Sequence, residues 1–402
     1  MKQARLFSLF LSLCLTLTLL PATANAEELL IAPAPSAVQS ADRLLPTVKP
    51  YSGTLTDAEG AWCEDAIQTV YETGLMEGKT ADRFDITSPL TYAQTVVVCA
   101  RLRNLLTGGG GTLPRQENQP WYQSAYESLW AVMENHELFI PDYLVKEYDH
   151  YQNMANQPCT RGAFVRVLSY AMLDTSVDFP AINCVTVLPD VRPETYFGSI
   201  TDAVFDFYNA GILTGTDAYG TFDEYGTLNR GQAAAMLARL ADPTQRKTLD
   251  LNPFDFCREV VKLDPDTVLA VIDGMEITAD QVSLIMAYNS QKDALLERLT
   301  YRVALMRLAE QRGIVWSEDD MDVTPGWRGI SEEGWIWYRM DTHLFTLLNG
   351  APPDSHERAD GFYATLDAEI AAVQTQLRVT ATPELDAFDF DAFRLRRDAS
   401  VF

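Results

Sequence analysis

The chain has 402 residues, 47% of them hydrophobic, and a net charge of −25. That length and apolar share suit two or three domains with real cores and exclude a wholly disordered chain. The acidity excludes nucleic acid and anionic lipid as partners, because a field of that sign repels both. An acidic polymer would have to be held by local basic residues set against that field.

Residues 1–26 read as a secretory signal peptide. Lys2 and Arg5 precede an apolar run from Leu6 to Leu20, Pro21 breaks it, and Ala24-Asn25-Ala26 supplies a small-residue cleavage pattern. The run is shorter than the roughly 20 residues a spanning helix needs, and no later segment approaches that length. The mature chain is therefore expected to be exported, extracellular and without a transmembrane segment. Residues 27–56, rich in Pro, Ala and Ser, read as a linker.

Three related segments follow: 57–106, 119–174 and 188–242. The first carries Trp62, Ala66 and Ile67, then Gly74 and Gly78, Phe84, and Leu90-Thr91-Tyr92-Ala93-Gln94. The third carries Val204, Gly211 and Gly215, Phe222, and Leu228-Asn229-Arg230-Gly231-Gln232. The second is looser: Trp121 to Tyr126 keeps the opening, Cys159-Thr160-Arg161-Gly162-Ala163 keeps the close, and His136 to Phe139 replaces the Gly-x-x-x-Gly element.

Each segment predicts the same local structure. Trp62, Ala66, Ile67, Val70 and Tyr71 recur at helical spacing, and Gly74 ends that helix in the left-handed region. A second helix opens at Thr91, with Gln94 three residues on as a capping box. Asn229 with Gln232 repeats the box, whereas Thr160 caps alone because Ala163 cannot reach back. A pair of helices buries little by itself, so three pairs are expected to share one core.

Beyond residue 248 the texture changes. Thr267 to Ile272 reads as a strand, Asp273-Gly274 as a turn, and Thr278 with Gln281 as another capping box. Helices are predicted from Gln291 to Arg312, ended by Gly313, and from Glu357 to Leu377. The acid–aromatic alternation from Asp386 to Phe393 reads as a loose tail.

The three segments resemble the S-layer homology repeat of bacterial surface proteins, on the early Trp, the Gly-Leu…Gly turn, the Phe, and the Leu-Thr-Arg-Ala-Glu-like helix start. The resemblance implies a mainly α fold, a three-pronged helical bundle of three repeats. It also implies non-covalent binding of an acidic secondary cell-wall polysaccharide, with the Arg of the helix start in contact. Thr160 and Arg161 match that motif. Asn229 and Arg230 match it with Asn for Thr, and Thr91 and Tyr92 match it with Tyr for Arg. These six residues, with Trp62 and Trp121, are the candidate polymer-binding set, and Arg161 and Arg230 are expected on solvent-facing grooves. An Arg at a helix start suits an anion on chemical grounds as well, since it adds a planar fork of donors to the positive end of the helix dipole. Tyr92 either packs or stacks on a sugar. The two tryptophans either belong to the core or offer flat faces to sugar rings.

Residues 254–320 resemble, on Val268 to Ile277 and the helix residues Leu299, Val303, Leu305 and Leu308, the N-terminal region of extracytoplasmic parvulin-type foldases. That likeness implies binding of unfolded or extended peptides by a mostly helical domain over 250–402. No cofactor or metal is expected, since none of His136, His150, His343 and His356 has metal-ligand spacing, and Cys63, Cys99, Cys159, Cys184 and Cys257 form no CxxC. Cys63 and Cys99 form either a disulfide or a pair of buried thiols. The expected function is wall anchoring without enzymatic activity. The alternatives are a wall-anchored folding helper and, further off, a wall-modifying enzyme built on paired carboxylates.

Overall fold

The computed structural model describes residues 43–115, 117–136, 154–192, 200–288, 291–321, 323–349 and 364–398. The signal-peptide reading lies outside them, as does most of the insertion in the second repeat. Residues 42–402 cluster as one compact, mainly helical unit with two hydrophobic clusters.

The first cluster runs from Leu45 to Ala241. Its helices are α1 (Glu64–Glu72), α2 (Tyr92–Leu106), α3 (Gln123–Asn135), α4 (Arg161–Ala171), α5 (Thr201–Asn209) and α6 (Arg230–Ala241). Helix α1 packs on α6, α2 on α3 and α4, and α4 on α5, so the first helix meets the last. Gly74 and Gly211 both take left-handed φ, at 73° and 72°, and end α1 and α5 at the expected places. Phe84, Phe164 and Phe222 are fully buried, each contributing roughly 2–3 kcal/mol. Residues 43–56 are more than a linker: Leu45 and Leu55 enter the core, and the Leu44 and Val48 N–H groups donate to the Ala241 and Glu72 carbonyls. Apolar side chains there find a surface that composition could not reveal.

The second cluster runs from Phe256 to Phe393. Strands β1 (Val268–Ile272) and β2 (Met275–Thr278) form a hairpin. Its two turn residues, Asp273 and Gly274, both have positive φ, as a two-residue primed turn requires. Helix α7 (Ala279–Tyr288) opens with the predicted Thr278–Gln281 box, and α8 (Lys292–Gln311) ends before Gly313, whose φ is 65°. Helix α9 (Glu332–Asn349) packs on α7 and α8, and α10 (Ala364–Gln374) packs on α8. Strand β3 (Val379–Ala381) then joins the free edge of β1, giving the order β2-β1-β3, before α11 (Pro383–Asp386) and α12 (Phe390–Asp398).

One more expectation changes here, and two are narrowed. The helix predicted over 357–377 is described from Ala364, and its first residues lie outside the described set. The loose tail is instead α12, held because Phe393 is fully buried against Phe256. Cys63 and Cys99 are separate buried thiols. Among the described residues no helix is long and apolar enough to cross a membrane, and no cluster of metal-ligating side chains is present.

Candidate functional site

The three second helices begin around one ring of backbone hydrogen bonds. The Leu90 N–H donates to the Leu228 carbonyl at 2.9 Å, Cys159 to Leu90 at 2.7 Å, and Leu228 to Cys159 at 3.0 Å. These are the residues immediately before Thr91, Thr160 and Asn229, which cap α2, α4 and α6 through their side-chain oxygens. Both expected capping boxes are present, and Thr160 caps without a reciprocal partner.

A second set of bonds lies two residues on. Tyr92 donates to the Gln157 carbonyl at 3.2 Å, Arg161 to Gly226 at 2.9 Å, and Arg230 to Ser88 at 3.0 Å. Gly162 and Gly231 continue the pattern onto the Glu224 and Ile86 carbonyls. A Cβ at Gly231 would sit 2.7 Å from the Ile86 side chain, so the repeats approach too closely there for a larger residue. The helix-start N–H groups that a ligand was expected to meet are thus already used between repeats.

The two arginines are buried rather than solvent-facing, at 5% exposure for Arg161 and 7% for Arg230. They differ in what they meet. Arg230 donates from Nε to the Phe84 carbonyl at 2.8 Å and from a terminal nitrogen to the Glu77 carbonyl at 2.6 Å, and its guanidinium lies 4.7 Å from the Phe84 ring centroid. The Arg161 Nε is buried with no hydrogen-bond partner among the described residues. Burial pulls the pKa of both below the usual arginine range. Tyr208, Asp223 and Asp190 oppose it at Arg161, and Asp85 and Asp57 oppose it at Arg230.

Tyr92 occupies the equivalent helix position in the first repeat and is also buried. Trp62 and Trp121 are not core residues, at 67% and 49% exposure. Each stands before the first turn of its helix, where its ring faces outward instead of continuing the apolar stripe. Trp121 borders a cavity of about 590 Å³ that Lys49, Arg101 and Arg115 also line.

Two carboxylates escaped the sequence reading. Asp57 accepts the N–H groups of Phe84 and Asp85, both at 2.7 Å, and Asp190 accepts those of Phe222 and Asp223 at 2.8 and 2.6 Å. Each pins the Phe loop of its own repeat. Burial pushes Asp57 up, but its backbone N–H bonds overcome that and hold it below the ordinary range. At Asp190 burial wins, and the carboxyl is raised. Their common place ahead of each repeat's first helix was a usable signal.

Asp190 also faces a larger cavity, of about 830 Å³, bounded by the second repeat, the third repeat and the C-terminal part of the chain. Its lining mixes guanidinium, carboxylate and aromatic groups. Such a lining suits a polar, hydroxyl-rich ligand better than an apolar one.

Residues 54–96 match the family model of the S-layer homology domain. The protein thus carries an S-layer homology domain over this segment, a module of cell-surface, wall-associated proteins. The match covers Asp57, Phe84, Thr91 and Tyr92. No curated protein matches the chain.

Proposed function

We propose that this protein attaches non-covalently to the bacterial cell wall by binding an acidic secondary wall polysaccharide, with Arg161 as the principal cation. The three helix pairs act as three lobes of one anchor, exported by the leader at residues 1–26, and the molecule binds without turning over a substrate.

The observation that carries this reading is the Arg161 guanidinium, buried between the second and third repeats with an Nε that has no acceptor among the described residues. A buried charged donor left without an acceptor costs about 1–3 kcal/mol or more. An incoming carboxylate or phosphate removes that cost and gains a charge-assisted contact. Arg230 lacks this readiness, because the Phe84 and Glu77 carbonyls already occupy it. Since the whole chain carries −25, an anionic polymer needs such a local cation to be held at all.

The test is co-sedimentation of the full chain with purified walls, before and after acid extraction of their secondary polymer. Binding is expected to need the polymer and to fall at least tenfold in Arg161→Gln. Equal binding to extracted walls would overturn the proposal.

A further inference from the structure

We infer that the C-terminal domain builds one wall of the glycan site, so the anchor is a composite of the repeats and this domain, with Arg328 as a further contact for an anionic saccharide segment. The inference rests on the wall-polymer reading and extends it to residues outside the repeats.

The cavity of about 830 Å³ has Arg166 of α4 on one side, Asp190 and Glu224 of the third repeat on another, and Phe254, Trp327 and Arg328 of the C-terminal domain closing it. Its volume is in the range of pockets that enclose a small ligand. Arg161 does not itself line the cavity, but two of the carboxylates whose field reaches it, Asp190 and Asp223, do.

The closing wall is fixed in place. The Arg328 N–H donates to the Pro189 carbonyl at 2.8 Å. The Arg192 guanidinium lies 4.6 Å from the Trp327 ring centroid, and Tyr219 meets Phe254 edge-on at 5.2 Å. Trp327 is stacked from its own domain by Trp335 at 5.5 Å.

Arg328 is also strained. Its φ is 58°, between Gly326 at 82° and Gly329 at 67°. That backbone suits glycine or asparagine, and a long side chain there is strained. The local conformation therefore does not account for an arginine. The Arg328 guanidinium lies 4.7 Å from the Trp327 ring centroid and bonds Tyr288, on a cavity wall that Arg166, Arg192 and Arg396 also line.

The lining defines the ligand's chemistry. Aromatic edges meet the C–H faces of a sugar, carboxylates accept from its hydroxyls, and guanidinium groups hold a carboxylate or phosphate substituent. Attachment and the C-terminal domain are then coupled, and filling the cavity braces the seam between them.

The experiment measures binding of the full chain to purified walls retaining their acidic polymer, with the same walls after extraction as control. Arg328→Gly and Arg328→Asn remove the guanidinium while suiting the left-handed backbone, so their thermal midpoints are expected to stay level or rise. Both are expected to weaken binding about tenfold, the scale of one charge-assisted contact. Wild-type affinity in both variants, with Arg161→Gln still impaired, would overturn the composite site and leave the anchor standing. Wild-type affinity in Arg161→Gln as well would overturn the wall-polymer reading itself.

Discussion

Arg230 and Phe84 bolt the third repeat to the first: the guanidinium lies over the Phe84 ring at 4.7 Å while its Nε donates to the Phe84 carbonyl at 2.8 Å. The arginine is thus a structural part of the ring of repeats. Arg230→Ala is expected to destabilise the protein by about 2–4 kcal/mol, through two orphaned carbonyls and the lost stem packing. Urea unfolding measures it, and a change within 0.5 kcal/mol, the size of an ordinary surface effect, would contradict this role.

Arg161 should behave in the opposite way. Replacing a buried guanidinium whose Nε has no acceptor among the described residues by an apolar side chain of similar length is neutral or stabilising. Arg161→Met is expected to keep or gain about 1 kcal/mol while losing wall binding. A loss of stability as large as that of Arg230→Ala would mean that Arg161 holds the fold instead.

Asp57 and Asp190 predict different responses to acid. Asp57 is held below the usual carboxylate range, so its contribution is complete above the unfolded value and fades as pH falls through the lowered one. Asp190 is raised, so its protonated form is favoured in the fold and stability from this group grows as pH falls through the raised value. Asp57→Asn should therefore make the acid-side loss of stability shallower, and Asp190→Asn should make it steeper. Urea midpoints between pH 7 and pH 3 decide, and parallel curves for the two variants would contradict the assignment.

Binding should tighten in mild acid. Burial raises Glu224, against the lowering field of Arg166 and with that of Asp190, and Asp190 is itself raised by burial and by Asp223. Protonating these carboxyls leaves the cavity's guanidinium groups less opposed, so an anionic glycan gains affinity as pH falls through the raised values. Glu224→Gln should flatten that dependence. Comparing it with wild type at each pH cancels the polymer's own titration, and identical profiles would contradict the prediction.

Much of the local structure was legible from residue order. Thr91 with Gln94, Asn229 with Gln232, and Thr278 with Gln281 each close a capping box over three residues. Gly74 and Gly211 end their helices where the repeat says they should. Such signals survive because both partners lie within one turn of chain, so no knowledge of the wider fold is needed.

The site was less legible. Asp57 finds its N–H partners 27 and 28 residues away, and Asp190 finds its own 32 and 33 residues away. Arg161 and Arg230 occupy the same position in two repeats, yet one guanidinium is satisfied by carbonyls and the other is left with a bare Nε. That difference arises from the neighbouring loop each one meets, which residue type cannot encode.

By itself, the order of amino acids determined that this is an acidic, mainly helical protein with an S-layer homology segment and capped helix starts, because those properties depend on charge totals and short-range spacing. The tertiary structure decided which arginine is left wanting an acceptor, that Trp62 and Trp121 face outward, and that Arg328 of a distant segment closes the cavity. Those outcomes depend on which surfaces come face to face, a matter of long-range packing that no local pattern specifies.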